Sequence, residues 1–503
     1  MKKIPLPLWL KLDRNYMRVF YSLILLFGIY VLPILLADRY YQDDLSRSLR
    51  GVTGWTSDAR PLTEWIMKWL CGGTPIGDIA PLPLLMSILI LAYTLTLYLR
   101  QNLPDVHSVW ILSVIGFLVI ANPFFLSNLS YRYDCVTMVL ALCAAVIPYA
   151  LPSGTNIRKM SCFSFLMCMV ILTSYQPCCG MYIALGCLEL FFMILAADID
   201  WIRLVMRAVS LGTGALIYYF IIMPHYIADG GWQQSAYQVS LDSSAGLLDS
   251  VRRNFDRFLY LMKLYLPGVP MPVILSALLL MAGGMLVAVM TIRRTCGRFR
   301  YLGALYTLFL PVLITAGSIL PLLVLTPSIF SMSAHTLIVL CGFCLWAGIM
   351  IYFIASRAEK LTIILLIPCL LFSLTFSYTY GNAMKSQKQY DEYITYGIVR
   401  DIDAMNTNGQ YHRLTIDGKM LRSKENAMLC EKYPLFQHII PMYISNSSYL
   451  GGAQLLHYMR YDLEFDSLSE QEALAIEQDT PVLTNAVYSC YTYEDKIIIH
   501  FNE

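Results

Sequence analysis

Apolar stretches of roughly 15 to 23 residues recur along this chain at about 17–37, 81–99, 108–122, 133–151, 159–174, 180–197, 203–224, 270–292, 302–323, 335–354 and 361–379. Each is near the length that the hydrocarbon core of a bilayer demands of a helix. With 57% hydrophobic and 14% charged residues over 503 positions, the chain is too apolar for an ordinary soluble domain. The expected fold is therefore a polytopic α-helical membrane protein with about eleven transmembrane helices. The third and fifth runs are short, so tilted or re-entrant segments are weighed for them. The net charge of +2 comes from scattered charges and gives no argument for a nucleic-acid partner.

The basic residues cluster between runs, at Lys2, Lys3, Lys11 and Arg14, at Arg100, at Arg158 and Lys159, at Arg203, at Arg293, Arg294, Arg298 and Arg300, and at Arg357 and Lys360. By the positive-inside rule this places the N-terminus in the cytoplasm. The first run is too long for a cleaved leader and is expected to stay as the first span. Four substantial pieces then lie outside: 38–80, a turn at 123–132, 225–269, and everything beyond about 380. The expected location is the bacterial inner membrane, with a transmembrane catalytic domain at 1–380 that includes the first outer loop. Residues 381–503 form a small periplasmic α/β domain, with a helix at Gln387–Met405 and strand-like runs at Arg413–Ile416 and Lys496–Phe501. Cys430 and Cys490 both fall in that tail, where a disulfide is open to them. The other cysteines show no metal-ligand spacing.

The first outer loop carries the densest chemistry. It begins Arg39-Tyr40-Tyr41-Gln42-Asp43-Asp44, a pair of carboxylates at the water–lipid boundary, with Leu45, Leu49 and Val52 at helical spacing behind it. Either aspartate suits the cap of a short interfacial helix. A polyprenyl-phosphate sugar presents its anomeric carbon close to the interface, so a carboxylate there can accept the proton of an attacking hydroxyl. Consecutive helical residues point about 100° apart, so one aspartate is expected to act on the acceptor and the other to cap or orient. Leu62, Trp65, Ile66, Trp69 and Leu70 mark a second helix lying on the membrane, with Glu64 on another face. Arg60, before Pro61, either offers its guanidinium to a phosphate or merely snorkels.

Ser130-Tyr131-Arg132-Tyr133-Asp134 sets an acid and a base at an outer helix end, where Asp134 is either an N-cap or a ligand group. Ser174-Tyr175-Gln176-Pro177 offers a phenol and an amide to sugar hydroxyls. His225 and Tyr226, with Arg252, Arg253, Arg257 and Lys263, add donors that equally suit a headgroup-facing surface. His335 reads as a satisfied interfacial histidine. No Gly-rich nucleotide loop, His-x-x-x-His pair or Gly-x-Ser-x-Gly elbow sits in a convincing context. A lipid-phosphate leaving group makes a divalent cation useful but not obligatory.

An uncleaved first span followed by Tyr41-Gln42-Asp43-Asp44 and Asp58-Ala59-Arg60-Pro61-Leu62 resembles the GT-C class of membrane glycosyltransferases. More narrowly, with Ser130-Tyr131-Arg132-Tyr133-Asp134 and Thr173-Ser174-Tyr175-Gln176 in order, the chain resembles the serotype-converting O-antigen glucosyltransferase family over roughly its first 230 residues. The resemblance implies an undecaprenyl-phosphate glucose donor, a lipid-linked O-antigen polysaccharide acceptor, membrane lipid as surroundings, and inverting transfer in the periplasm without a required cofactor. It makes Asp44 or Asp43 the general base, puts Arg60 and Arg132 on the donor phosphate, and leaves Asp134, Tyr131, Tyr175, Gln176, Glu64 and His225 for sugar or acceptor. Competing readings are a related enzyme with another sugar or acceptor, a flippase or transporter of lipid-linked sugars, and a C-terminal binding module. The near absence of ionisable residues inside the runs argues against the flippase.

Overall fold

The computed structural model describes residues 7–104, 108–226, 246–295, 300–326, 332–445, 451–478 and 480–502. The protein is mostly helical. Among the described residues, eight helices are long and apolar enough to cross a membrane, and Val109–Ile120 and Cys135–Ala150 are shorter apolar helices. It is a multi-pass membrane protein. The early helices are α1 (Arg14–Ala37), α2 (Asp44–Arg50), α3 (Pro61–Leu70), α4 (Leu82–Asn102), α5 (Val109–Ile120), α6 (Phe125–Ser130), α7 (Cys135–Val146), α8 (Ile157–Ser174), α9 (Cys179–Leu195) and α10 (Trp201–Ile217). Helices Met271–Thr295, Arg300–Leu323 and Cys341–Met405 follow. The apolar runs 335–354 and 361–379 both fall between Ala334 and Met405, and the helix Cys341–Met405 breaks at Ala358 (φ −146°, ψ 59°).

Three expectations change. The short segments are the third and fourth runs, whereas the fifth forms an 18-residue helix because Asn156 accepts the Arg158 backbone N–H at 3.0 Å and starts α8 early. The turn at 123–132 contains α6. The connection 225–269 contains a 20-residue helix, Gly246–Tyr265, that carries Arg252, Arg253, Arg257 and Lys263; its part at 227–245 lies outside the described residues.

By compactness the chain divides into two units. The first comprises Met1–Leu32, Thr53–Gly72 and Ile79–Tyr378. Its helices approach closely where side chains vanish: a Cβ on Gly180 in α9 would lie 1.8 Å from the Ser318 carbonyl oxygen of Arg300–Leu323. Inside this unit the apolar runs are not free of charge, as the sequence pattern implied. Arg207 of α10, 2% exposed, sends Nε to Glu189 Oε2 at 3.1 Å, Nη1 to Ser164 Oγ at 2.6 Å and Nη2 to the Pro148 carbonyl at 2.8 Å. Arg203 Nε reaches Glu189 Oε1 at 2.8 Å. These charges are tolerable within helices because each is met by an opposite charge or a carbonyl.

The second unit comprises Pro33–Val52, Gly73–Asp78 and Thr379–Glu503, so the ends of the first loop belong with the C-terminal region rather than with the membrane helices. A Cβ on Gly381 would lie within 2.6 Å of the Pro33 backbone, so only glycine allows the two strands of chain to meet there. The unit holds a five-stranded sheet of strands β1 (Arg413–Asp417), β2 (Glu464–Phe465), β3 (Leu483–Thr484), β4 (Tyr488–Tyr493) and β5 (Lys496–Phe501) in the order β2-β1-β5-β4-β3. β1 runs parallel to β2 and β5, and β5-β4-β3 are antiparallel. Ile497, Ile498 and Ile499 are all buried, as a central strand covered on both faces requires. Ile394, Ile398 and Ile402 recur at helical spacing in Cys341–Met405 and join that core. Cys430 and Cys490 are free rather than bridged: Cys490 points into the sheet core and Cys430 donates to Asn426 Oδ1 at 3.4 Å.

Candidate active site

In the second unit the carboxylate pair sits on a turn that tertiary contacts fix. Gln42 adopts φ +50°, a left-handed conformation that costs a residue with a Cβ. Asp43 then occupies the N-cap of α2, and Gly51 (φ +60°) ends it with its N–H on the Arg47 carbonyl at 2.8 Å. Asp43 makes no side-chain cap, contrary to one sequence expectation. It lies 3.3 Å from Arg47 one turn on, and its side chain is 42% exposed. Asp44 is completely buried, with Oδ2 accepting the Tyr41 N–H at 3.2 Å. The two neighbours thus differ in access: solvent reaches Asp43, whereas Asp44 braces the turn.

The turn is held from behind. Tyr41 donates its hydroxyl to the Ile439 carbonyl at 3.0 Å, and the Tyr443 hydroxyl donates to the Tyr40 carbonyl. Leu45 and Tyr443 are buried together, with Tyr40 packed on them.

The first unit assembles a separate polar cluster. Ala59 (φ +53°) turns the chain into α3, where Pro61 takes the first helical position and Arg60 the N-cap. The Arg60 guanidinium lies over the Tyr175 ring at 5.2 Å. Tyr175 donates to the His335 carbonyl at 3.1 Å, and the His335 ring meets the edge of Tyr131 at 6.5 Å. Gln176 donates to the Tyr218 hydroxyl at 2.6 Å, and Tyr218 donates to the Ala59 carbonyl at 3.2 Å. Gln176 Oε1 and Asn128 Oδ1 are buried with no hydrogen-bond partner among the described residues. Asp134 is not a side-chain cap; its Oδ1 accepts the Trp55 indole N–H at 2.6 Å across 79 residues of sequence. Arg132, two residues earlier in the chain, is half-buried.

Glu64 has a different place from the one its helical face implied. Its carboxylate accepts the Thr53 hydroxyl and the Thr56 N–H (3.1 Å) and pairs with Lys68 at 2.8 Å, so it ties the 53–56 loop to α3. Burial pushes this carboxyl up, but Lys68, Thr53 and the Thr56 backbone outweigh it and hold it below the ordinary carboxylate value. Thr63, Glu64 and Met67 face inward while Trp65 and Trp69 are 65% and 71% exposed. The polar side is buried and the aromatic side is presented outward. His225 is exposed, and its ring meets Tyr226.

Arg60, Tyr131, Asp134, Tyr175 and Gln176 are therefore brought together by the fold, joined by Trp55, Tyr218 and His335, which the sequence patterns did not single out as ligand groups. The only signal for Trp55 was an indole in a loop rich in Gly, Ser and Thr. Among the described residues no three His, Cys, Asp or Glu side chains gather as a metal site.

The family model for glucosyl transferase GtrII matches residues 32–346, from the carboxylate turn through His335. The chain belongs to the GtrII glucosyl transferase family. A GtrII-family chain that is multi-pass and carries this polar cluster is a glycosyltransferase of the membrane. It is 26% identical over 505 residues to an uncharacterized 55.3 kDa protein in the gtrB 5′ region of Salmonella phage P22, an alignment covering 97% of this chain and 99% of that one. No solved structure matches.

Proposed function

We propose that this GtrII-family protein transfers a glucosyl residue from undecaprenyl-phosphate glucose to lipid-linked O-antigen, or a related surface polysaccharide, at the periplasmic face of the inner membrane, with inversion. The single observation that carries this reading is the family match across the segment that contains both the carboxylate turn and the Arg60–Tyr175 cluster. The proposed topology has eleven crossings, with the N-terminus inside and the C-terminal sheet in the periplasm.

In the reaction an acceptor hydroxyl oxygen bonds to the anomeric carbon as the bond from that carbon to the phosphate oxygen breaks. The electron pair leaves with the polyprenyl phosphate. The hydroxyl proton passes to a carboxylate, and Asp43 is the accessible member of the pair. Asp44 keeps the turn in shape through the Tyr41 N–H. Arg60 and Arg132 supply positive charge to the departing phosphate. Gln176, with its acceptor oxygen uncommitted, and Tyr131 and Tyr175 suit donor hydroxyls; Asp134 is held for the same purpose by Trp55. The outward Trp65 and Trp69 seat α3 in the interface, the level at which a polyprenyl donor presents its phosphate.

The test is transfer of labelled glucose from polyprenyl-phosphate glucose to lipid-linked polysaccharide in membranes containing the wild-type protein. Transfer supports the reading. No transfer with any polyprenyl-linked sugar, together with movement of the lipid between leaflets, replaces it by a flippase.

A further inference from the structure

Within the second unit, aromatic rings run in contact from the solvent to the carboxylate turn. The Tyr40 ring meets His457 at 6.0 Å, His457 meets Tyr458 at 5.1 Å, and Tyr458 meets Tyr396 at 4.9 Å. Tyr396 is 62% exposed. Tyr393, three residues earlier and so on the same helical face, is 73% exposed. This face is turned away from Ile394, Ile398 and Ile402, which fill the sheet core. Tyr458 packs partly on that core, and Tyr40 is pinned by the Tyr443 hydroxyl and by Leu45, so the track has a rigid floor and a fixed inner end.

The surroundings are polar. Glu392 lies within 4.0 Å of Lys388, and Asp403 accepts the Tyr461 hydroxyl at 2.8 Å. Carboxylates here count against an anionic lipid surface. The outward face of α3 is different in kind, since it offers tryptophan without acids. Exposed Tyr393 and Tyr396, in line with rings that meet edge-to-face or tilted, contribute little to the core, and each pairs an apolar ring with a polar tip. A pyranose ring is their complement: its C–H face carries weakly positive hydrogens that suit a negative π face, and its rim carries hydroxyls for phenols and carboxylates. Each ring-to-ring step is comparable to the advance of one hexose along an extended glycan.

We propose that Tyr393, Tyr396, Tyr458, His457 and Tyr40 form an extended subsite for the polysaccharide acceptor, which leads the chain toward Asp43, three residues beyond Tyr40. This rests on the transferase reading above for the identity of the reaction, and on the ring geometry alone for the binding of glycan.

The experiment uses full-length protein in which Tyr396→Ala is combined with Tyr393→Ala, two exposed positions whose loss leaves the core intact. With a long polysaccharide acceptor, the acceptor KM is expected to rise about tenfold while kcat and the donor KM change less than twofold. The rise should be smaller on a single-repeat acceptor, and Tyr396→Trp should restore most of the affinity. An unchanged acceptor KM, or equal losses on long and short acceptors, overturns the subsite. Binding of delipidated O-polysaccharide to purified protein without donor separates the two readings. If wild type transfers nothing yet binds polysaccharide through these tyrosines, the reaction assignment fails and the subsite stands. If wild type binds no polysaccharide, the subsite falls whatever the transfer assay reads.

Discussion

Arg39 Nη2 lies 2.6 Å from Asp391 Oδ2, an ion pair whose two side chains are 2% and 3% exposed, and the same guanidinium nitrogen donates to the Pro441 carbonyl at 2.7 Å. Arg39 also sits over the Tyr443 ring at 4.6 Å, while Gln387 donates to the other Asp391 oxygen at 2.8 Å. The residue that opens the Tyr40-Tyr41-Gln42-Asp43-Asp44 segment is therefore anchored to chain more than 340 residues later.

Removing one partner of a buried pair leaves an uncompensated charge, at a cost of about 3–5 kcal/mol. Asp391→Ala is expected to accelerate amide hydrogen exchange over 40–51 while peptides from α9 and α10 exchange as in wild type. The double variant Arg39→Met/Asp391→Leu should recover most of the lost protection, since apolar side chains of similar size carry no desolvation penalty. Exchange over 40–51 that stays at the wild-type rate in Asp391→Ala would show that the pair does not hold this segment.

Asp43 and Asp44 should separate cleanly. Asp43→Asn removes the accessible proton acceptor and is expected to lower kcat for transfer by about 10²–10⁴, with protein yield unchanged. Asp44→Asn keeps an oxygen for the Tyr41 N–H, so its effect should be smaller and accompanied by a lower melting temperature. Steady-state kinetics at matched expression decide this, and the opposite ranking would move the base to Asp44.

The Trp55 indole donates to a carboxylate that is 3% exposed as a residue. A buried hydrogen bond to a charged group is worth about 1.5–3 kcal/mol. Trp55→Phe deletes the N–H and leaves a smaller ring at a fully buried position, so a donor KM several-fold higher is expected together with a modest drop in melting temperature. Wild-type donor kinetics in Trp55→Phe would take Asp134 out of sugar recognition.

Glu64 sets a low-pH limit on the 53–56 loop. Its folded-state carboxyl lies below the ordinary value, so the fold favours the ionised form. The stabilisation is in place above the unfolded carboxylate value of about 4.3 and is lost as the pH falls through the depressed folded value. Limited proteolysis of the loop should increase as the pH drops below about 4. In Glu64→Gln the loop should be more labile at neutral pH and should lose this dependence. The same loss in both proteins would assign the effect elsewhere.

Length and apolarity of the runs are local properties that lipid reads directly, so they alone place this chain in a bilayer. The sequence also marked Asp43, Asp44, Arg60, Tyr131, Asp134, Tyr175 and Gln176, since charged and amide groups beside helix ends are conspicuous in an apolar chain. Burial and pairing were decided only by tertiary structure. The spacing does not distinguish Asp43 from Asp44, yet in the folded chain, where Tyr41 bonds the Ile439 carbonyl and Tyr443 the Tyr40 carbonyl, one is buried and the other is accessible. Nothing near Asp134 foretold Trp55, and Glu189 and Arg207 become tolerable inside helices only once the fold sets them 3.1 Å apart. Periodicity reports which residues share a helix face; which side chain meets that face depends on contacts between residues hundreds of positions apart, and those exist only in the folded chain.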